Sequence, residues 1–372
     1  MEIEPFALER FFAEHEFRAR RLLCASDCES LAVGDLLAME PGAAEAFAAL
    51  RLGYSETAGD PGLRGEIASL YAGIGADDIL VFSGAEEAIF VFMNAVLRAG
   101  DHVLVHSPCY PSLASVARAA GCPVTSWQAE AGSGWALDPG DLAALAGPAT
   151  RAVVVNFPHN PTGYLPERER FAAVVDFARD RGLVLFSDEV YRFLEYDAAG
   201  RLPAACEIYE KGVSLGVMSK SFGLAGLRLG WVACRDRGIL RAMAALKDYT
   251  TICAAAPSEF LAAVALRRRE AVLGRCLGIV GANLELLDHF LARHAGRFSW
   301  VRPRAGPVAF PALRSGGADG FCARLLAETG VLLAPGRLFV GGADHFRVGF
   351  GRADFAAGLA DLDRFLDCQG PV

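Results

Sequence analysis

Lys220 follows directly after an apolar run, residues 213–218, that is typical of a buried strand. Burial lowers the pKa of a lysine, and a lysine that has lost its proton can attack a carbonyl to form a Schiff base. Arg228 lies eight residues further along the chain, and its forked guanidinium is suited to binding a phosphate. The alternative interpretation is an ordinary strand end with solvated charges.

Three other strand ends carry polar groups. Asp188 ends an apolar strand and Tyr191 follows it, so a carboxylate could pair with a cationic ring nitrogen while the phenol reaches a neighbouring oxygen. Asn160 lies in a segment with two prolines, residues 157–163, that could form a strained loop with a cis bond. Residues 83–87 could present backbone N–H groups to an anion at a helix start. The alternatives are a helix N-cap, a connecting turn and routine capping.

The elements that must position these groups alternate between short β-branched runs and helical patterns. Strands are predicted at residues 79–82, 102–105, 152–155, 183–186 and 213–218. Helices are predicted at residues 1–23, 62–71, 86–97, 112–120 and 167–181. This alternation predicts an α/β fold with a mostly parallel sheet covered by helices on both faces. In such folds ligands bind at the carboxyl ends of the strands.

The pattern changes after a long helical stretch at residues 259–294. Strands at 298–313, 331–339 and 345–351 surround one helix at 320–329, which indicates a smaller α+β domain. We therefore expect an N-terminal helix and loop (1–40) that join the small domain, a large domain (41–275) and a C-terminal small domain (276–372). A chain of 372 residues is long enough for two domains.

Composition excludes several classes of protein. Apolar residues make up 53% of the chain and charged residues 22%, which excludes intrinsic disorder. The formal net charge of −8 argues against partners that are nucleic acids or anionic membranes. No apolar stretch is long enough to span a bilayer, and the acidic N-terminus lacks the pattern of a signal peptide. We expect a cytoplasmic protein. The ten cysteines and seven histidines show no metal-ligand spacing, so no metal site is predicted.

In their order and spacing, these motifs strongly resemble those of the class I/II aminotransferases, which use pyridoxal phosphate and have fold type I. The resemblance covers nearly the whole chain. Residues 54–64 match the family's segment from a tyrosine to Gly-Leu-Arg, residues 107–111 match its loop with the ring-stacking aromatic, and residues 345–350 match its C-terminal arginine strand. The resemblance implies a seven-stranded, mostly parallel sheet in the large domain and pyridoxal 5′-phosphate as cofactor.

The resemblance also implies roles for individual residues. Lys220 forms the internal aldimine and exchanges a proton with the substrate's Cα, while Asp188 keeps the cofactor's ring nitrogen protonated. Tyr191 and Asn160 hydrogen-bond the cofactor's phenolic oxygen, and Asn160 also lies beside the substrate. Tyr110 stacks on the cofactor's ring, Glu86 also contacts the cofactor, and the phosphate is bound by Gly84, Ala85, Ser219 and Arg228. Tyr54 reaches the phosphate of the neighbouring subunit, which implies a homodimer. Arg347 binds the α-carboxylate of the small amino acid and 2-oxo acid substrates.

Two departures from the family pattern bear on function. Val217 stands where the family usually has a serine or threonine, so one hydroxyl contact to the phosphate is lost and weaker cofactor retention is expected. Residues 25–31 replace the family's N-terminal glycine motif, and this stretch is more similar to capreomycidine synthase, a family member that eliminates and cyclises. From the same segment, Cys28 and Glu29 are predicted to contribute to the substrate's side-chain pocket.

Three functions remain open from sequence. The first is an aminotransferase that moves the α-amino group of an L-amino acid to a 2-oxo acid. The second is a lyase or cyclase that acts on a β- or γ-substituted amino acid. The third is a regulatory domain that senses the cofactor without catalysis; such regulators carry a DNA-binding domain before this fold. The family-like pattern here begins within the first 60 residues of an acidic chain, which disfavours the third function.

Overall fold

A seven-stranded sheet forms the centre of the protein, for which a computed structural model describes residues 2–339 and 344–368. The described residues form these strands, of which β2 to β8 build the central sheet: β1 (Arg21–Leu22), β2 (Ile79–Phe82), β3 (His102–Ser107), β4 (Val124–Gln128), β5 (Thr150–Asn156), β6 (Val184–Asp188), β7 (Gly212–Val217), β8 (Gly230–Ala233), β9 (Phe298–Ser299), β10 (Val308–Ala309), β11 (Ala312–Leu313), β12 (Val331–Leu332), β13 (Ala334–Pro335) and β14 (Phe346–Gly349).

Helices surround this sheet and build the C-terminal part. They are α1 (Ala7–His15), α2 (Val33–Ala38), α3 (Ala43–Ala48), α4 (Pro61–Ala68), α5 (Ala85–Ala95), α6 (Ser112–Ala119), α7 (Asp141–Leu145), α8 (Arg168–Asp180), α9 (Ala205–Ile208), α10 (Arg237–Lys247), α11 (Ala256–Arg267), α12 (Arg269–Arg293), α13 (Ala318–Thr329) and α14 (Phe355–Asp367). In the part of the chain that the structure describes, no helix has the length and apolar character needed to cross a membrane.

The strand order in the central sheet is β2-β8-β7-β6-β5-β3-β4. Every neighbouring pair is parallel except the two that involve β8, which runs antiparallel to both β2 and β7. The predicted fold, a mostly parallel sheet between helices, is confirmed. Because β2, β3, β5, β6 and β7 share one direction, their carboxyl ends lie along the same edge.

Burial of the sheet on both faces explains why its inner strands are mainly apolar, whereas the edge strand β4 is largely polar. Val103 and Val105 of β3 pack into one hydrophobic cluster with α5, α6 and α10, whereas Leu104 packs into another with α8. Side chains of a strand alternate between faces, so each strand needs apolar residues at every position when both faces are covered. The helices thus hold a rigid sheet whose carboxyl edge carries the polar residues.

The C-terminal third has its own hydrophobic cluster, built by α12, α13 and α14. Leu23 and Cys28 from the N-terminal segment belong to the same cluster, and β1 pairs in parallel with β12. The helix α12 runs without a break across residue 275, where a domain boundary is predicted. The three predicted domain ranges stay a prediction, and residues 340–343 and 369–372 of the last range lie outside the described residues.

Several predicted elements differ in extent from those observed. The helix predicted over residues 1–23 is only α1, because the chain turns after His15 to form β1. The stretch 259–294 is two helices separated at Arg268, whose ψ of 21° breaks the helical path. The strand predicted over 298–313 is reduced to three two-residue pieces, since its prolines lack the N–H that a sheet ladder requires.

Candidate active site

A cavity of about 370 Å³ opens at the carboxyl edge of the sheet, within the range of small-molecule sites. Its lining comes from α1, the loop that follows β1, the start of α5 and the ends of β3, β5, β6 and β7. The lining residues are Glu9, Phe12, Glu16, Leu22, Cys24, Ala25, Ser26, Asp27, Ala85, Glu86, Ile89, Tyr110, Asn160, Asp188, Val190, Val217, Ser219, Lys220, Ala225 and Arg228. Most of the residues singled out from sequence are therefore brought together.

Lys220 projects into this cavity from the loop after β7. Its Nζ donates a hydrogen bond to Ser26 Oγ over 2.8 Å. Burial lowers the pKa of Lys220, and the neighbouring charges of Asp27 and Arg347 act in opposite directions on it. A lysine with a lowered pKa gives up its proton more readily, which favours nucleophilic and acid–base chemistry.

Asp188 lies at the end of β6 with only 4% of its surface exposed. Burial raises the pKa of its carboxyl to about 7, although the backbone N–H of Val190 donates to Oδ1 over 3.2 Å and Lys220 favours the ionised form. A buried carboxyl with so little compensation is suited to a cationic partner. Such a partner would restore its negative charge.

Tyr191 and Asn160 flank the cavity, but only Asn160 is part of its lining. The Tyr191 hydroxyl is fully buried and donates to the carbonyl of Ser26 over 3.0 Å. The backbone N–H of Asn160 donates to Asn156 Oδ1 over 2.7 Å, which holds the turn after β5 against the sheet. This hydrogen bond places the side chain of Asn160 close to the end of β5.

Arg347 on β14 lies behind the cavity lining and is 1% exposed. Its Nε and Nη2 donate to the carbonyl of Cys24 over 3.1 and 2.7 Å, and its Nη1 donates to Asn160 Oδ1 over 3.1 Å. A guanidinium has five N–H donors, so one N–H on each terminal nitrogen remains for a carboxylate. The ring of Phe339 lies 4.8 Å from the guanidinium carbon and restricts the side chain from one face.

An anion cradle lies between the start of α5 and Arg228. Gly84 precedes the helix with φ of +88°, and a Cβ added there would lie 2.7 Å from Arg228 Nη2. Arg228 itself has a positive φ of +47° and donates to Ser219 Oγ over 3.4 Å. Ala85 and Glu86 line the cavity in the first turn of the helix, and burial raises the pKa of Glu86 to about 7. Helix start, glycine and guanidinium together are suited to a phosphate.

Tyr110, the predicted ring-stacking residue, lines the cavity in the loop after β3. Its hydroxyl donates to Glu9 Oε1 over 3.1 Å, and its ring lies 5.1 Å from that of Phe6. The helix α1 therefore holds the aromatic ring from outside. With the lysine, the buried carboxyl and the anion cradle, this ring completes a set of groups that fits pyridoxal phosphate.

Three predicted site residues lie away from the cavity. Cys28 is completely buried against Cys276 in the C-terminal cluster, so its thiol faces the core. Glu29 accepts a hydrogen bond from the backbone N–H of Ala353 over 3.0 Å and points towards the start of α14. Tyr54 is 91% exposed on the surface and is not among the residues that line the cavity.

Sequence analysis missed the contribution of α1 and of the loop that follows β1. Glu9, Phe12 and Glu16 line the cavity, as do Ser26 and Asp27. The sequence predicted a helix over residues 1–23 but gave no sign that this helix borders the cavity. The altered motif at residues 25–31 was the available signal for Ser26. Within residues 2–339 and 344–368, no cluster of three or more histidine, cysteine or acidic residues could hold a metal ion.

Comparison with known proteins gives similarity over nearly the whole chain. A family model described as aminotransferase class I and II matches residues 27–362. Capreomycidine synthase from Streptomyces vinaceus is 31% identical over 364 residues, which cover 96% of this chain and 93% of that protein.

Two solved structures extend this similarity to the fold. A PLP-dependent aminotransferase from Streptococcus suis has a TM-score of 0.94 at 29% identity, with 100% of both chains covered. The PLP-dependent cyclase OrfR has a TM-score of 0.90 at 32% identity, with 100% of this chain and 99% of that chain covered. The chain is thus similar both to a protein named as an aminotransferase and to proteins named as a synthase and a cyclase.

Proposed function

The chain belongs to the class I and II aminotransferase family, whose cofactor is pyridoxal 5′-phosphate, and from this premise we propose that it moves the α-amino group of an L-amino acid to a 2-oxo acid. One observation carries the proposal. Lys220, Asp188 and the anion cradle at Gly84 and Arg228, which come from separate parts of the chain, converge on one cavity with Arg347 directly behind it.

The cofactor would be held by groups that differ in charge along the cavity. When bound, pyridoxal phosphate supplies an aldehyde that captures amines and a ring that withdraws electrons from the substrate's Cα. Arg228, Gly84 and Ser219 would bind the phosphate at the start of α5. Asp188 would hold the proton on the ring nitrogen, since a cation beside a buried carboxylate offsets the cost of its burial. Tyr110 would stack on the ring.

Lys220 would exchange a proton with the substrate's Cα. Its lowered pKa makes the amine easier to deprotonate, which favours its action as a general base. Ser26 Oγ would orient Nζ through the 2.8 Å hydrogen bond. Asn160, whose side-chain oxygen accepts from Arg347, would donate to the phenolic oxygen through its amide nitrogen. Tyr191 would donate to the same oxygen by giving up its hydrogen bond to the Ser26 carbonyl.

Arg347 would bind the substrate's α-carboxylate. Its two remaining N–H groups, one on each terminal nitrogen, can form the paired hydrogen bonds that a carboxylate accepts. Because the Cys24 carbonyl and Asn160 hold the guanidinium from behind, little side-chain entropy is lost on binding. The clamp would orient the Cα–H bond towards Lys220.

We also propose a homodimer in which Tyr54 completes the partner's site. Large side chains are exposed on two neighbouring loops, with Leu52 82%, Tyr54 91% and Tyr249 90% exposed. Ser55 Oγ donates to the carbonyl of Ala254 over 3.4 Å, which joins these loops. An exposed patch of this kind favours an interface with another protein chain. This patch would contact the large domain of a second copy.

A second candidate function is elimination or cyclisation of a β- or γ-substituted amino acid. The similarity to capreomycidine synthase over 96% of the chain supports it. The Ser26 hydroxyl beside Lys220 also supports it, because a departing group at Cβ needs a second proton carrier. Both candidates begin with removal of the same Cα proton.

A single-turnover experiment separates the two functions. The holoenzyme is mixed with one amino acid at a time, without a 2-oxo acid, and the visible spectrum is followed. Amino transfer converts the cofactor to its amine form and releases a 2-oxo acid, and a 2-oxo acid restores the original band. Elimination or cyclisation releases the substituent while the original band persists. Turnover in Lys220→Ala would contradict both.

A further inference from the structure

The active-site cavity carries more negative charge than the proposed reaction uses. Its charged lining residues are the acids Glu9, Glu16, Asp27, Glu86 and Asp188 and the bases Lys220 and Arg228. Asp27 is neutralised by Arg352, whose Nη2 lies 2.9 Å from its carboxylate. Asp188 and Glu86 lie at the cofactor positions. Glu9 in α1 and Glu16 at its C-cap form no ion pair within the described residues.

Glu9 lies in α1 and Glu16 is the C-cap of this helix with helical backbone angles, and both line the cavity. Residues seven positions apart are separated by two helical turns, or roughly 10 Å along the axis. Phe12 lies between them in the sequence, and its ring centre is 5.8 Å from the guanidinium carbon of Arg347. A substrate whose α-carboxylate is bound at Arg347 would therefore lie beneath Phe12, with a carboxylate on either side.

Glu16 has no close partner in the described part of the chain, although the more distant charges of Arg352 and Lys220 favour its ionised form. Its carboxylate makes no hydrogen bond or ion pair there, whereas Glu9 accepts one hydrogen bond from Tyr110. Burial, followed by the charge of Asp27, raises the pKa of Glu16. A half-buried carboxylate without a partner lowers stability, and a cation placed beside it would offset that cost.

We propose that Glu9 and Glu16 bind the cationic end of the substrate's side chain, so that the preferred amino acid carries an ammonium or guanidinium group. The inference rests on the proposed function, in which Arg347 holds the α-carboxylate. An anionic side chain would be repelled by both carboxylates, and an apolar side chain would gain only contact with Phe12. Selection of this kind depends on the helix α1 and not on the sheet edge.

Matched pairs of amino acids test the proposal on the holoenzyme. L-Arginine and L-citrulline have the same shape but differ in charge, and L-lysine and L-norleucine form a second pair. Dissociation constants come from the change of the cofactor's visible band during titration, with no 2-oxo acid present. We expect the cationic member of at least one pair to bind at least about tenfold more tightly, which corresponds to about 1.4 kcal/mol.

Variants of α1 identify the source of the preference. Glu16→Gln should reduce the ratio of dissociation constants several-fold, and Glu9→Gln combined with Glu16→Gln should bring it close to one. Glu14→Gln is the matched control, because Glu14 is on the same helix with 69% of its side chain exposed and pairs with His15. The control should keep the wild-type ratio.

The outcomes separate this inference from the proposed function. Equal binding within both pairs, no binding of either cationic amino acid, or an unchanged ratio in the double variant would contradict the inference. If an apolar amino acid is transaminated without any cationic preference, the proposed function stands and the inference fails. If the cationic amino acid binds selectively but loses a substituent instead of its amino group, the inference stands and aminotransfer is wrong.

Discussion

Ser26 Oγ accepts a hydrogen bond from Lys220 Nζ over 2.8 Å, although the two residues are 194 positions apart in the sequence. The carbonyl of the same serine accepts from the Tyr191 hydroxyl over 3.0 Å. One residue of the N-terminal loop thus contacts two of the three predicted catalytic residues. The position of this loop affects the chemistry directly.

Replacement of the Ser26 hydroxyl should slow the reaction without removing the cofactor. We expect Ser26→Ala to lower kcat several-fold, since one hydrogen bond contributes roughly 0.5–1.5 kcal/mol and 1.4 kcal/mol is tenfold in rate. The Tyr191 bond uses the backbone carbonyl and is retained. Steady-state kinetics with a spectral check of cofactor content measures the effect. Ser69→Ala, at an exposed serine after α4, is the control; an unchanged kcat in Ser26→Ala would contradict the expectation.

The buried carboxyl of Asp188 should make the stability of the apoprotein depend on pH. Its pKa of about 7 in the folded state lies above that of an unfolded aspartate, so the folded state retains a proton that the unfolded chain has released. The free energy of unfolding therefore falls as the pH rises from about 4 to about 7. Asp188→Asn removes this loss and should stabilise the apoprotein at pH 8 by up to roughly 4 kcal/mol.

Urea unfolding at pH 5 and pH 8 measures this difference between Asp188→Asn and the wild-type apoprotein. We expect the advantage of the variant to grow with pH. Asp248→Asn, at an exposed position after α10, should show no such growth. An advantage of the same size at both pH values would mean that the charge of Asp188 is not its cause.

A methyl group at Gly84 should weaken cofactor binding. Gly84→Ala would place a Cβ 2.7 Å from Arg228 Nη2 in a backbone conformation with φ of +88°. Gly100→Ala is a matched control, because Gly100 has φ of +90° but nothing within 4 Å of an added Cβ. Both variants strain the backbone, by about 1–2 kcal/mol, and only the first fills the cradle. Titration of the apoproteins with pyridoxal phosphate should show a loss of affinity of at least tenfold in Gly84→Ala alone; equal losses would assign the effect to strain.

Restoring a hydroxyl at position 217 should slow the loss of the cofactor. Val217 is buried and lines the cavity at the end of β7, and Val217→Thr adds one donor towards the predicted phosphate position. We expect release during dialysis to slow several-fold, in line with the roughly 1 kcal/mol of one hydrogen bond. Val213→Thr places the same group on the same strand but in the hydrophobic cluster. It should lower the stability of the fold without slowing the release of the cofactor. Faster release from Val217→Thr would contradict the expectation.

Mixed dimers should test whether Tyr54 acts across subunits. Tyr54→Ala and Lys220→Ala should each have little activity as pure proteins. A dimer with one subunit of each kind has one site in which both residues are intact, so co-refolded mixtures should recover up to a quarter or so of wild-type activity for random pairing of two sites per dimer. Assays of the separate and co-refolded proteins give the answer, and no recovery would place Tyr54 and Lys220 in the same subunit's site or exclude a dimer.

The strand ends could be predicted from sequence because their signals are local. Lys220 and Asp188 each follow an apolar run, and runs of this length between helices form parallel strands in which every residue is buried. Their shared direction then places both side chains at one edge. The antiparallel strand β8 was missed, since its four residues follow the glycine-rich loop of Lys220 without any turn signal of their own.

The roles of α1 and Ser26 could not be predicted, because their position depends on contacts far along the chain. Arg21 of β1 pairs with Val331 of β12, and this pairing carries the N-terminal loop to the cavity. No periodicity within residues 1–30 encodes that partner. For the same reason Cys28 and Glu29 were assigned to the pocket, whereas the loop turns them towards the C-terminal helices.

The bonds between Arg347 and the Cys24 carbonyl have a consequence for the order in which the enzyme is made. The two residues are 323 positions apart, and Lys220 and Asp188 are also synthesised before Arg347. The strand that carries Arg347 is therefore added after the other groups of the site. Gly349 also closes tightly on this loop, since a Cβ there would lie 1.7 Å from the Ala25 carbonyl oxygen. Until β14 has been synthesised, the N-terminal loop lacks these contacts with Arg347 and Gly349. The strand that carries Arg347 therefore completes a site whose other groups stand much earlier in the chain.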